Sequence, residues 1–225
     1  MSVEIRKAKR FDQVRFRGPG TLKITQGDSE SLTIHAPAYV MEHVESEVID
    51  TVLHLGYVSP KVVSLKVLHE VISYDLCMKD VRRLVLSGAG RIFIPDLDND
   101  AVSAEVSGSG MIMLDNLTAD RFDVVIGGSG SVKVAGDVEA QSALISGSGN
   151  YNAERLVSDF AHVRISGSGN ANVSVSDDLN VVISGSGKVS YAGYPDISKL
   201  ISGSGKLLRR RRKKQKLDKG EENGQ

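Results

Sequence analysis

Through the second half of this chain, apolar and polar residues alternate with a period of two. The alternation keeps its phase through short glycine-serine runs that would otherwise read as linkers. In one stretch Phe122, Val124, Ile126, Gly128, Gly130, Val132 and Val134 occupy every second position. Ala143, Ile145, Gly147, Gly149 and Tyr151 follow the same rule, as do Val163, Ile165, Gly167, Gly169, Ala171 and Val173. Successive side chains of a strand point to opposite faces, so the pattern predicts strands with one buried face. The glycines fall in phase with the aliphatics and the serines out of phase. A corner is therefore expected, with both glycines turned inward where a Cβ has no room or φ must be positive, and the serines outward.

The corner recurs. A four-residue Ser/Gly signature begins at 87, 107, 127, 146, 166, 184 and 202, at spacings of 20, 20, 19, 20, 18 and 18. Its glycines are Gly88 and Gly90, Gly108 and Gly110, Gly128 and Gly130, Gly147 and Gly149, Gly167 and Gly169, Gly185 and Gly187, and Gly203 and Gly205. So even a period marks a solenoid. Helical repeats need longer units of about 33 residues or more, and the flanks alternate like strands. The fold expected is all-β: a single-stranded, right-handed parallel β-helix with coils of 18–20 residues. Each coil reads as strand, corner, strand and polar turn, and the coils stack at about 4.8 Å.

Residues 1–80 are less regular and are read as N-terminal coils and cap of the same domain, with Arg17-Gly18-Pro19-Gly20 as a degenerate corner. Met41, Val44 and Val48 are spaced as on a helical turn. Residues 81–208 form the regular helix, and 209–225 are too polar to pack and are expected to be disordered.

The iterated "ISGSG" with flanking V-x-V, "SLTIHA" ahead of the repeats, and "SGSGKVSYAGYPDI" at 184–197 resemble one family of bacterial proteins. It is described as putative auto-transporter adhesin, head GIN domain. The resemblance spans roughly residues 11–207. It implies a pectin-lyase-like β-helix with no established enzyme activity, and an exported, cell-surface setting. The chain departs from that family in two ways: no export signal is recognised at the start, and Arg91, Met111, Ser131, Asn150, Asn170, Lys188 and Lys206 stand where many members have Asp.

Composition fits an aliphatic core: there is no Trp, and aromatics are 5% of residues. Zero net charge conceals a split, because residues 206–225 carry nine basic and three acidic side chains, leaving 19 basic against 25 acidic elsewhere. The single Cys77 cannot form an intrachain disulfide and reads as a buried thiol. With no leader at the start and no apolar run of membrane-spanning length, the default expectation is a cytoplasmic protein.

Chemistry is sparse. Asp115 and Glu154 fall in one outward column but two coils apart, which reads as scattered carboxylates on a solvated face. The five histidines (His35, His43, His54, His69, His162) show no metal-ligand spacing. No catalytic, cofactor or metal site is expected.

Two outer features point to partners instead. Val85, Val125, Leu144, Val182 and Leu200 form an apolar stripe, interrupted by Glu105 and Arg164, suited to a second copy or a ligand. Arg209, Arg210, Arg211, Arg212, Lys213, Lys214 and Lys216 form a basic tail that could hold an anionic membrane or nucleic acid, or protect an open sheet edge. The leading functional reading is a non-enzymatic, adhesin-like scaffold that binds a protein, a glycan or itself through its outer faces. A cytoplasmic, self-assembling scaffold similar to bactofilins is the alternative, and a polysaccharide-active enzyme is the minor one.

Overall fold

The computed structural model describes residues 2–57 and 72–210. Its strands break chiefly where the sequence turns. In chain order they are β1 (Ser2–Arg6), β2 (Gln13–Arg17), β3 (Thr21–Gln26) and β4 (Ser31–Ala36), then a single helical turn α1 (Ala38–Met41). β5 (Val44–Ile49), β6 (Val52–Tyr57), β7 (Ser73–Met78), β8 (Arg83–Gly88), β9 (Arg91–Asp98) and β10 (Ala101–Gly108) follow. Long strands then run from signature to signature: β11 (Met111–Gly128), β12 (Ser131–Gly147), β13 (Asn150–Gly167) and β14 (Asn170–Gly185). β15 (Lys188–Ala192), β16 (Asp196–Ser202) and β17 (Lys206–Arg209) close the series.

These strands stack in parallel, each on the equivalent strand of the next coil, so like residues lie over like. Val106 pairs with Ile126, Ile126 with Ile145, Ile145 with Ile165, and Ile165 with Ile183. The fold is a parallel β-helix, as the repeat required. Polar stretches expected as turns, such as "DNLTAD", stay within one continuous strand, with a register shift between Leu114 and Leu117. They bend the strand instead, and the inward residues step by three at the bends, from Leu114 to Leu117 and from Ala119 to Phe122. Branched aliphatics stacked in register fill the interior, and each buried one contributes roughly 1.5–3 kcal/mol.

The signature glycines do two different jobs, which corrects the expectation that both point inward. Gly169 is buried, and a Cβ there would lie 2.6 Å from Cγ2 of Ile145 and 2.8 Å from the carbonyl of Gly149. Gly147 is not turned into the core. It takes φ +120°, and a Cβ there would sit 2.7 Å from the carbonyl oxygen of Gly128 in the preceding coil. The corners are hydrogen-bonded from coil to coil, Ser148 N–H to Gly128 O at 2.9 Å and Asn150 N–H to Gly130 O at 3.0 Å. That close stacking leaves no space for a side chain at the first glycine. The signature serines face outward, as expected; Ser146 and Ser148 are exposed.

At the N-terminal end, spatial order departs from chain order. β2 lies between β6 and β8, and β3 between β7 and β9. The first coil along the chain is therefore the second in the stack. Gly18 and Gly20 form the anticipated degenerate corner, with Gly18 N–H bonded to Ser87 O at 3.1 Å. Beyond β6 and β7 the chain turns antiparallel: β5 pairs with β6, β4 with β7, and β1 with β4. This cap is tied by Arg6, which donates to Val44 O at 2.6 Å, Met41 O at 3.1 Å and Ser46 Oγ at 3.1 Å. The helical spacing at Met41, Val44 and Val48 is realised only as far as Met41, because Val44 and Val48 belong to β5.

Candidate functional site

Strand register assembles the outer stripe. Val85 pairs with Glu105, Glu105 with Val125, Val125 with Leu144, Leu144 with Arg164, Arg164 with Val182, and Val182 with Leu200. All seven therefore lie in one column on a flat parallel sheet. Their exposure is uneven. Val125, Leu144 and Leu200 are 41%, 38% and 67% exposed, whereas Val85 is only 8% exposed and Val182 is half-buried. Val85 is covered because Arg15 lies beside it in register and the Arg83–Glu105 ion pair, at 2.9 Å, flanks its other side.

What remains is a compact arrangement: an apolar pair, Val125 and Leu144, bracketed along the column by Glu105 and Arg164. Polar ladders run on either side. Ser103, Asp123, Ser142, His162 and Asn180 form one, and Ser107, Gly127, Ser146, Ser166 and Ser184 form the other. A shallow groove of about 400 Å³ opens at the edge of the same face, lined by Arg121, Ser142, Phe160, His162, Asp178 and Asn180. Phe160 is 42% exposed in it, and Arg121 is fixed to Asp123 through bonds of 2.7 and 3.1 Å. The face offers hydroxyl, amide, charged and apolar contacts at the inter-strand spacing of about 4.8 Å.

Other sequence candidates are placed as follows. Cys77 is half-buried rather than buried: it faces outward beside Gly27, with its Sγ 3.8 Å from Ser29 Oγ, because its inward neighbours are Leu76 and Met78. Glu154 is engaged by Arg210 at 2.6 Å, and Asp115 is exposed. Arg209 and Arg210 are part of the last coil, not of a disordered tail. Arg209 ends β17 opposite Tyr191, and Arg210 N–H bonds Tyr191 O at 2.7 Å. Arg211, Arg212, Lys213, Lys214 and Lys216 lie outside the described residues, as does His69. Among the described residues no cluster of three or more His, Cys, Asp or Glu side chains could hold a metal.

The alternation did not reveal a polar cluster inside the column. Gln141, Ser158 and Tyr151 are buried together where neighbouring coils place Phe122, Val138 and Val132. Burial pushes the Tyr151 phenol well above the usual range, and it does the same for Tyr74.

The family model described as putative auto-transporter adhesin, head GIN domain, matches residues 10–195. The chain belongs to this family. Several solved structures share the head GIN domain fold. A structure from Bacteroides fragilis described as a putative adhesin superposes with a TM-score of 0.87 at 22% identity, over 93% of this chain and 96% of that one. A protein from Parabacteroides distasonis described as lipid binding gives a TM-score of 0.72 at 21% identity. One from Parabacteroides merdae, described as a putative adhesin, gives 0.69 at 18% identity. Both superpose over the same shares of the two chains. At these identities the likeness is one of fold. Among curated proteins no relative matches. The family's description, an auto-transporter adhesin, points to a cell-surface or exported setting and runs against the cytoplasmic placement that was the default expectation. No helix among the described residues is long and apolar enough to cross a membrane.

Proposed function

We propose that this head GIN domain chain is a non-enzymatic adhesion scaffold, acting outside the cytoplasm and binding a protein or glycan ligand through its flat outer face. The observation that carries this reading is the exposed Val125–Leu144 pair, set between Glu105 and Arg164 in a face otherwise lined by serines and amides. An exposed apolar centre with a polar, hydrogen-bonding surround is the usual anatomy of a recognition surface. Rigid stacked strands hold these groups at fixed spacing, so little ordering free energy is spent on contact. The family description and the two neighbouring structures described as adhesins support the same role.

The test is adhesion of protein-coated beads to surfaces carrying arrays of glycans or matrix proteins. The unmodified protein should adhere. Val125→Lys combined with Leu144→Lys should lose adhesion while the thermal unfolding midpoint stays within a few degrees. Equal adhesion by both proteins would remove the stripe from the binding surface.

A further inference from the structure

We propose that the C-terminal pole of the column is a docking face for an anionic lipid bilayer. The two ends of the β-helix are built differently. At the N-terminal end β1, β4 and β5 fold back antiparallel over the last parallel strands. At the C-terminal end nothing among the described residues covers β16 and β17, which pair only with β14 and β15. Large apolar side chains stand in solvent there: Tyr194 is 87% exposed, Leu200 67%, Leu208 43% and Ile197 42%.

Charge is concentrated at the same pole. Residues 186–210 carry five basic side chains (Lys188, Lys199, Lys206, Arg209 and Arg210) against Asp196, and of the five Arg210 is paired with Glu154 at 2.6 Å. Residues 1–185, by contrast, hold 17 basic against 24 acidic side chains. Lys188 and Lys206 lie in register, one above the other. The Arg209 guanidinium stacks on the Tyr194 ring at 3.7 Å from its centroid, which holds a cation and an aromatic together at the rim.

These features select the occupant. A second copy meeting this end pole to pole would bring two basic surfaces together, which like charges oppose. A head-to-tail copy would meet the antiparallel cap that covers β6 and β7. A nucleic acid or an acidic polysaccharide would satisfy the cations but leave Leu200 and Leu208 in water. A bilayer with anionic headgroups satisfies both: lysine and arginine pair with headgroup charge, and the aromatic and aliphatic tips enter the acyl boundary. The headgroup zone is hydrated, so the free edges of β16 and β17 keep their hydrogen bonds to water. In this pose the long outer faces project away from the membrane, clear of it.

Cosedimentation of the full chain with vesicles tests the proposal. Vesicles of phosphatidylglycerol and phosphatidylcholine in equal parts should bind at least about tenfold more tightly than phosphatidylcholine alone, with affinity falling as salt rises. Leu200→Ser/Leu208→Ser and Lys199→Glu/Lys206→Glu should each weaken binding about tenfold without lowering the unfolding midpoint. Should either double variant prove unstable, Tyr194→Ser, at the most exposed position, replaces it in the same assay. Equal binding to neutral and anionic vesicles would overturn the proposal. So would full binding by the leucine and lysine variants together with its loss on deleting 211–225, which would place the affinity in the tail alone. A DNA duplex that displaces vesicles equally well from the parent and the leucine variant would assign the pole to nucleic acid instead.

Discussion

The Tyr151 hydroxyl donates to Oε1 of Gln141 at 2.9 Å in the interior of the column, and Gln141 Nε2 donates to Ser158 Oγ at 2.8 Å. Ser158 in turn donates to the carbonyl of Ser174 at 3.2 Å, so the chain of bonds ends on backbone. Tyr151 fits because Ala171 lies over it, and Gln141 has Ala161 on one side. Removing one member leaves a buried partner without water or protein. Tyr151→Phe or Gln141→Leu should each cost about 1–3 kcal/mol. The double variant should lose less than the sum of the two, and urea unfolding of the four proteins would measure the coupling.

Alkaline pH should destabilise the fold through two phenols. Burial raises the pKa of Tyr74 and of Tyr151 in the folded state. An acid whose folded pKa lies above its unfolded value contributes stability that is complete below the unfolded value, about 10 for tyrosine. That stability declines as pH rises further, because the unfolded chain then binds fewer protons than the native one. Unfolding free energy should therefore be flat in this respect from neutrality to about pH 9 and fall above about pH 10. Phenolate absorbance in that range should show two tyrosines that ionise only on unfolding.

The two glycines of a corner should fail for different reasons. Gly147→Ala forces a side chain onto a backbone at φ +120° and against the Gly128 carbonyl. A loss on the order of 3 kcal/mol is expected, and no neighbouring side-chain change should rescue it. Gly169→Ala meets the Ile145 methyl as well as the Gly149 carbonyl, so Ile145→Ala should relieve part of its cost and the two should be less than additive. Ser148→Thr, on the exposed side, should fall within about 0.5 kcal/mol of the parent. Thermal melts of these variants are enough.

Arg6 should hold the cap shut. Its guanidinium bonds to Val44 O, Met41 O and Ser46 Oγ, joining β1 to α1 and β5. Arg6→Ala should raise amide hydrogen exchange in residues 41–49 while leaving exchange in β12 and β13 unchanged. Uniform change along the chain would mean the cap and the column unfold as one unit.

Much of this architecture was written in the period of the chain. Repeat spacing gave the parallel stack, and phase gave the inner aliphatics and the outer serines. Alternation on a strand identifies a face, but it does not report φ, so it missed that Gly147 is a backbone turn while Gly169 is an inward spacer. Nor does it name neighbours. The placement of β2 between β6 and β8 depends on a chain reversal through β4 and β5, and no local pattern records that. The stripe from Val85 to Leu200 was legible as a column. Its exposure was not, since Arg15 and Glu105, which with Arg83 shelter Val85, come from neighbouring coils. Gln141 sat among aliphatic positions, but only its partners Tyr151 and Ser158 explain why a polar side chain is tolerated there.

The burial of the first coil between its neighbours also bears on how the molecule would carry load. Tension applied at the carboxyl end meets a free outer rung and can peel the ribbon away one layer at a time. Tension applied at the amino end, once β1 has parted from β4, must drag out β2 and β3, which are zipped along both edges, and so must shear two seams together. A tether under strain would hold far better when anchored through that clasped layer than through the loose one.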